Sequence, residues 1–194
     1  MEAHAEHPHH HHHELPTEGR ALSLLAASAT LHCLTGCALG EIAGMVVGTA
    51  LGLSNWATVG LAVAFAFLFG YTLTSLPLLR AGLAFGAVMP IALATDTVSI
   101  AVMEVIDNAI IVAVPGALEA GLSDILFWGS LAFSLVVAGL VAWPVNRWMI
   151  ARGRGHAVLH ESGHHGDFPT KAVAIVAVAA AIFGTTVLIL EAIG

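Results

Sequence analysis

The chain has 194 residues, 58% of them hydrophobic and only 10% charged, with 6 Lys+Arg against 13 Asp+Glu. A water-soluble domain needs roughly a quarter of its residues charged to clothe its surface, so a soluble globular enzyme is excluded. The acidic balance argues against a nucleic-acid partner. Several apolar runs reach the ~20 residues that a helix needs to cross the ~30 Å hydrocarbon layer. The expected fold is all-α, a polytopic transmembrane helix bundle.

Residues 1–19 hold seven histidines (His4, His7 and His9 to His13) and four glutamates but no lysine or arginine. They lack the basic start and short apolar stretch of a cleaved secretory signal and predict a retained, disordered His-rich tail. His9 to His13 is a run of five, not the six of a usual tag, and it sits inside a longer biased stretch, which favours a natural sequence. Residues 20–194 form one predicted transmembrane domain.

The first apolar segment, 21–53, exceeds the length of one crossing, so it is expected to be tilted, broken or partly outside the bilayer. The second runs over 56–79, with Pro77 near its end. The third spans 83–114 and is closed by Pro115-Gly116. The fourth covers 124–150, with a bend expected at Pro144. A loop over 151–170 carries His156, His160, His164 and His165, and a fifth segment spans 171–193.

With five crossings, Arg20, Arg80, Arg147, Arg152, Arg154 and Lys171 all fall on one side, while the opposite connections hold acids such as Glu119 and Asp124. The positive-inside rule then places the N-terminus in the cytoplasm. Eleven of the twelve histidines share that face. Clustered neutral imidazoles suit a soft or borderline metal ion, although a polar tail and loop also tolerate histidine without any such role.

The polar residues inside the apolar runs carry the most information. The first segment contains His32, Cys33, Cys37 and Glu41; the third contains Asp96, Thr97, Ser99, Glu104, Asp107 and Asn108. No lysine or arginine lies deep in any run to pair with the four carboxylates. Each costs a few kcal/mol in a bilayer unless it faces a cavity, is protonated or holds a cation. Cys33, Cys37, Glu41 and Met45 recur every fourth residue, as do Gly36, Gly40, Gly44 and Gly48, and such a series drifts only ~40° per step. Thiols, carboxylate and glycines therefore share one broad face, fit for close approach of another backbone. In the third segment Asp96, Ile100, Met103, Glu104, Asp107 and Asn108 occupy one stripe. The simplest arrangement buries it against the polar and glycine face of the first segment.

Cys, His and Met suit Cu(I) or Zn(II), whereas carboxylates suit proton relay or harder ions. The expectation is a membrane protein that binds and moves or delivers a transition-metal ion, copper before zinc. Its predicted metal site is His32, Cys33, Cys37, Met103, Glu41, Asp96, Glu104, Asp107 and Asn108, with no catalytic residues and no enzymatic activity. Against this stand cysteines that merely pack and carboxylates that are protonated and bonded across helices. Two further alternatives are a membrane thiol-disulfide oxidoreductase using Cys33 and Cys37, and an assembly subunit docking a second copy or another membrane protein through its glycine face. The Cys-x-x-x-Cys spacing is poor for an unstrained disulfide within one helix and differs from the Cys-x-x-Cys of common oxidoreductases. No nucleotide loop, flavin motif or nucleophile elbow occurs.

Three stretches carry a resemblance: His32-Cys33-Leu34-Thr35-Gly36-Cys37 with Gly40-Glu41; Ala94 through Glu104 with Asp107-Asn108; and Pro144-Val145-Asn146-Arg147-Trp148. Over most of 31–160 the chain resembles the DUF4396 family of bacterial membrane proteins. The resemblance implies a multi-pass protein of the bacterial inner membrane and supports the choice of motifs. It implies no activity.

Overall fold

The computed structural model describes residues 18–154, which form four long helices: α1 (Gly19–Ala50), α2 (Asn55–Arg80), α3 (Phe85–Ala113) and α4 (Ile125–Ile150). The His-rich tail up to residue 17, the histidines of the 151–170 loop and the fifth predicted segment lie outside the described residues. All four helices are long and apolar enough to span a membrane; the shortest, at 26 residues, reaches ~39 Å at 1.5 Å per residue. The protein is thus an all-α, multi-pass membrane protein in contact with lipid.

Helix boundaries follow local chemistry. The first segment is one unbroken helix that stops at Ala50, short of the end of its apolar run. Gly52 adopts φ 63°, the left-handed conformation that glycine tolerates, and the Leu53 N–H turns back to the Gly48 carbonyl at 2.9 Å, closing a Schellman-type cap. Gly82, at φ 91°, ends α2 in the same way through Leu83 N–H and Leu78 O. α3 terminates just before Pro115. α4 continues as helix through Pro144, whose missing N–H leaves the carbonyl one turn back without its usual donor.

Successive helices run antiparallel. α1 lies on α2 by close backbone approach: a Cβ on Gly36 would sit 2.8 Å from Gly70 Cα, and those on Gly40, Gly44 and Gly48 would strike Ala66, Ala62 and Thr58 respectively. The glycine face is therefore filled within the chain by α2. α2 meets α3 through Tyr71 and Thr97, whose hydroxyls are 2.9 Å apart. α4 returns against both α3 and α1, bringing Asn146 to Ser99 and Thr30. Arg20, Arg80, Arg147, Arg152 and Arg154 consequently share one end of the bundle.

The polarity of the bundle is inverted relative to a soluble domain. Leu24, Leu31, Leu68, Val105, Phe133 and Leu140 are more than half exposed, whereas Thr95, Asp96, Ser99 and Ser134 are fully buried. Many hydroxyls are satisfied inside their own helix: Thr30, Thr35, Thr72, Thr95, Thr97 and Ser130 each donate to the carbonyl four residues back. The groups that cannot be satisfied locally are the ones gathered at the centre.

Candidate functional site: a buried polar string

Two polar clusters succeed one another along the bundle axis. In the cluster nearer the arginine-bearing end, His32 Nε2 lies 2.8 Å from the Thr74 hydroxyl of α2. Asp96 on α3 lies near the same hydroxyl, so an imidazole, a hydroxyl and a carboxylate are neighbours. Cys33 faces both Asp96 and Ser99. Ser99 accepts from Asn146 Nδ2 at 3.0 Å, and the same amide donates to Thr30 at 2.9 Å. All four helices thus contribute.

The second cluster lies toward the opposite end. Cys37 and Glu41 of α1 both lie near Glu104 of α3. Asn108, one turn further along α3, donates to the Glu104 carbonyl at 2.9 Å and to its Oε2 at 3.4 Å. Asp107 is bound by the Ser134 hydroxyl of α4. Asp107 is 1% exposed and Glu104 4%. Glu41 Oε1, Glu104 Oε1 and Asp107 Oδ2 have no hydrogen-bond partner among the described residues. In a medium of low polarity, such orphan carboxylate oxygens are costly unless a proton or cation is supplied.

The expected meeting of the α1 and α3 stripes holds for Cys33 with Asp96 and for Cys37 and Glu41 with Glu104. The glycines beside them turn to α2. His32 also leaves the stripe, for a geometric reason: one residue from Cys33 is ~100° around the helix, which aims it at α2. Met103 joins Cys33 and Cys37 in a fully buried apolar cluster with Ala66, Ile100, Ala138 and Ala142. Both thiols are free and shielded from solvent. The nine residues expected to form one metal site are therefore spread over two clusters, and among the described residues no three His, Cys, Asp or Glu side chains converge closely enough to hold a metal ion.

Sequence reasoning missed Thr74, Ser134 and Asn146 as partners. The signal was present as isolated polar residues in the apolar second and fourth segments, but hydroxyls are common in membrane helices because they can bond their own backbone, and only the fold shows which of them do more.

A pocket of about 360 Å³ opens at the end remote from the arginines and reaches Glu41 and Asn108. Gly52, Leu53, Asn55 and Glu119 ring its mouth, and Met45, Val59, Ile111 and Leu131 are among its walls. The α3–α4 connection folds back over the bundle to complete it, with Ala117 and Ala120 buried and Leu122 O accepting from Trp128 Nε1 at 2.8 Å. The string of polar groups thus begins at a pocket.

The family model for a domain of unknown function (DUF4396) matches residues 25–155, which covers the four helices almost entirely. No curated protein and no solved structure matches the chain. The chain belongs to the DUF4396 family.

Proposed function

We propose that this DUF4396 protein is a proton-linked cation carrier rather than an enzyme, working through the carboxylates of its bundle core. One observation carries the reading: two clusters of buried polar side chains, Glu41, Cys37 and Glu104 nearer the pocket and Cys33, Asp96, Thr74 and His32 nearer the arginine-bearing end, follow one another inward along the bundle. Asp107 and Asn108 flank the cluster nearer the pocket. Carboxyl, hydroxyl and imidazole groups each donate and accept, so each cluster can hand protons along, with the Cys33 and Cys37 thiols, weak donors and acceptors, between them. The orphan oxygens on Glu41, Glu104 and Asp107 are where charge is compensated by an arriving proton or cation. The arginines at one end support a cytoplasmic N-terminus by the positive-inside rule and an inner-membrane location, with the pocket facing outward.

The test is proton flux in proteoliposomes carrying the full chain and a trapped pH-sensitive dye, driven by a potassium gradient with valinomycin. Wild-type protein is expected to acidify or alkalinise the lumen faster than empty vesicles. Asp96→Asn and Glu104→Gln should each lower the rate at least tenfold. A wild-type rate equal to that of empty vesicles refutes the reading.

A second reading takes a soft transition-metal ion as cargo, copper before zinc, because Cys33, Cys37 and Met103 share one fully buried cluster beside Asp96 and Glu104. Soft sulfur donors next to charge-compensating carboxylates suit that chemistry. Its test is elemental analysis of protein lacking residues 1–19 after exposure to Cu(I) or Zn(II). Near-stoichiometric metal that disappears in Cys33→Ser/Cys37→Ser supports it; negligible metal in both sinks it.

A further inference from the structure

The pocket at the Glu41 end has a chemical character more specific than a passage for protons. We propose that it is a binding site for a small organic cation, a protonated amine with a short apolar body.

Charge comes first. Glu41 lines the pocket and Glu119 stands at its mouth, while no lysine, arginine or histidine among the described residues lines it; the lining offers an anion no positive partner. Hydrogen bonding is equally one-sided near Glu41. Its Oε1 is closed off and has no partner among the described residues, so the pocket meets the rest of the carboxyl group. The Asn108 amide nitrogen is already spent on Glu104, which leaves the Asn108 carbonyl oxygen to accept. The Thr49 hydroxyl is spent on Met45 Sδ at 3.7 Å. Acceptors thus predominate beside Glu41, with the Asn55 amide and Thr58 hydroxyl as the other polar groups of the lining, and an ammonium brings up to three N–H donors with its positive charge.

Size and wall chemistry then separate an amine from a bare ion. A volume of about 360 Å³ is roughly that of twelve bulk waters at ~30 Å³ each, far beyond a dehydrated metal ion. The walls contributed by Met45, Val59, Ile111, Phe127 and Leu131 are apolar and offer a hydrated ion little. Apolar walls with a few convergent polar groups are what a small organic ligand requires. Glu104, near Glu41, links such a cargo to the proton relay: when an ammonium pairs with the Glu41 carboxylate, Glu104 is the neighbouring acid that keeps a proton.

The site depends on the relay reading only for the steps after binding, so binding and flux are measured separately. Full-length protein in nanodiscs is titrated with n-butylammonium, with n-butanol as neutral isostere and potassium as bare cation, by calorimetry and thermal shift. Saturable binding of butylammonium is expected, at least tenfold tighter than either control. Glu41→Gln should weaken it at least tenfold. Val59→Phe, which fills the pocket without touching an acceptor, should do the same while leaving the elution profile and melting cooperativity unchanged. Equal binding of n-butanol, or unaltered butylammonium binding in Glu41→Gln or in Val59→Phe, overturns the proposal. Asp96→Asn should abolish proton flux yet keep amine binding. Binding with this signature but no flux in wild type leaves the site standing and the relay refuted; flux without amine binding does the reverse.

Discussion

Replacing Gly40 by alanine tests whether the glycine face of α1 belongs to the bundle or to an outside partner. A Cβ at Gly36 would lie 2.8 Å from Gly70 Cα, against an optimal carbon separation of ~3.5–4.0 Å, so α2 would have to retreat by roughly 1 Å. At Gly40 the obstruction is tighter, because the new atom meets the backbone N and Cα of Ala66, which cannot rotate aside. Overpacking of this kind costs ~1–3 kcal/mol, and the better helix propensity of alanine returns at most ~1 kcal/mol. A net loss of ~1–2 kcal/mol is expected for Gly40→Ala. Gly44→Ala meets the backbone of Ala62, and because the two sites share one interface their effects should not add independently. The controls are helical glycines whose Cβ would meet nothing within 4 Å, Gly60 and Gly129; Gly60→Ala and Gly129→Ala should be neutral or stabilising by up to ~1 kcal/mol. Unfolding in nanodiscs by graded SDS addition ranks the four variants. Equal stability of Gly40→Ala and Gly60→Ala refutes the interface, and unchanged stability with loss of a co-purifying protein would assign the face to a docking partner instead.

Three other expectations arise from the polar core. Asn146→Leu removes the amide that joins Thr30 to Ser99 and should destabilise the bundle by ~1–3 kcal/mol, measured by the same SDS titration; a neutral result would mean the bridge is not formed in lipid. Ser134→Ala strips the hydroxyl from Asp107 and should slow proton flux in proteoliposomes while wild-type elution is retained; an unaltered rate would mean that Asp107, beside the path, has no influence on it. Cys33 and Cys37, both 0% exposed, should resist a membrane-permeant maleimide in native protein and react only after unfolding. Rapid native labelling, or an intramolecular disulfide on mild oxidation, would favour thiol chemistry.

How much of this was legible in the sequence varies with the physics involved. Composition and apolar run length determined the class and the first four spans, because hydrocarbon thickness leaves a helix little choice. The ends of α1 and α2 shifted slightly from the apolar runs, since Gly52 and Gly82 stop a helix through backbone conformation and not hydropathy. The stripe of Asp96, Glu104 and Asp107 was visible from periodicity; its packing against the first helix was only the simplest arrangement, since periodicity names a face and not its neighbour. The division into two clusters was not visible. It depends on His32 turning to Thr74 and on the glycines choosing α2, and neither neighbour is encoded in the spacing of one helix. The pocket was equally hidden, because its cover comes from the α3–α4 connection, where Ala117 and Ala120 look like ordinary loop residues.

The hydroxyls that bond back within their own helices bear on how the protein is made. Thr72 of α2 and Ser130 of α4 need no other helix to hide their donors, and neither helix carries an acidic residue within its span. Either can rest in lipid before assembly. α3 carries Asp96, Glu104 and Asp107 together and has no such independence. Synthesis from the N-terminus delivers Cys33, Cys37 and Thr74 first, so α3 enters beside partners that are already in place. Its release into lipid is therefore expected to be delayed until α1 and α2 are there to receive it, and α4 then seals the core by supplying Ser134 and Asn146. The order of the helices along the chain doubles as an order of biogenesis in which the most polar member is never left alone in the bilayer.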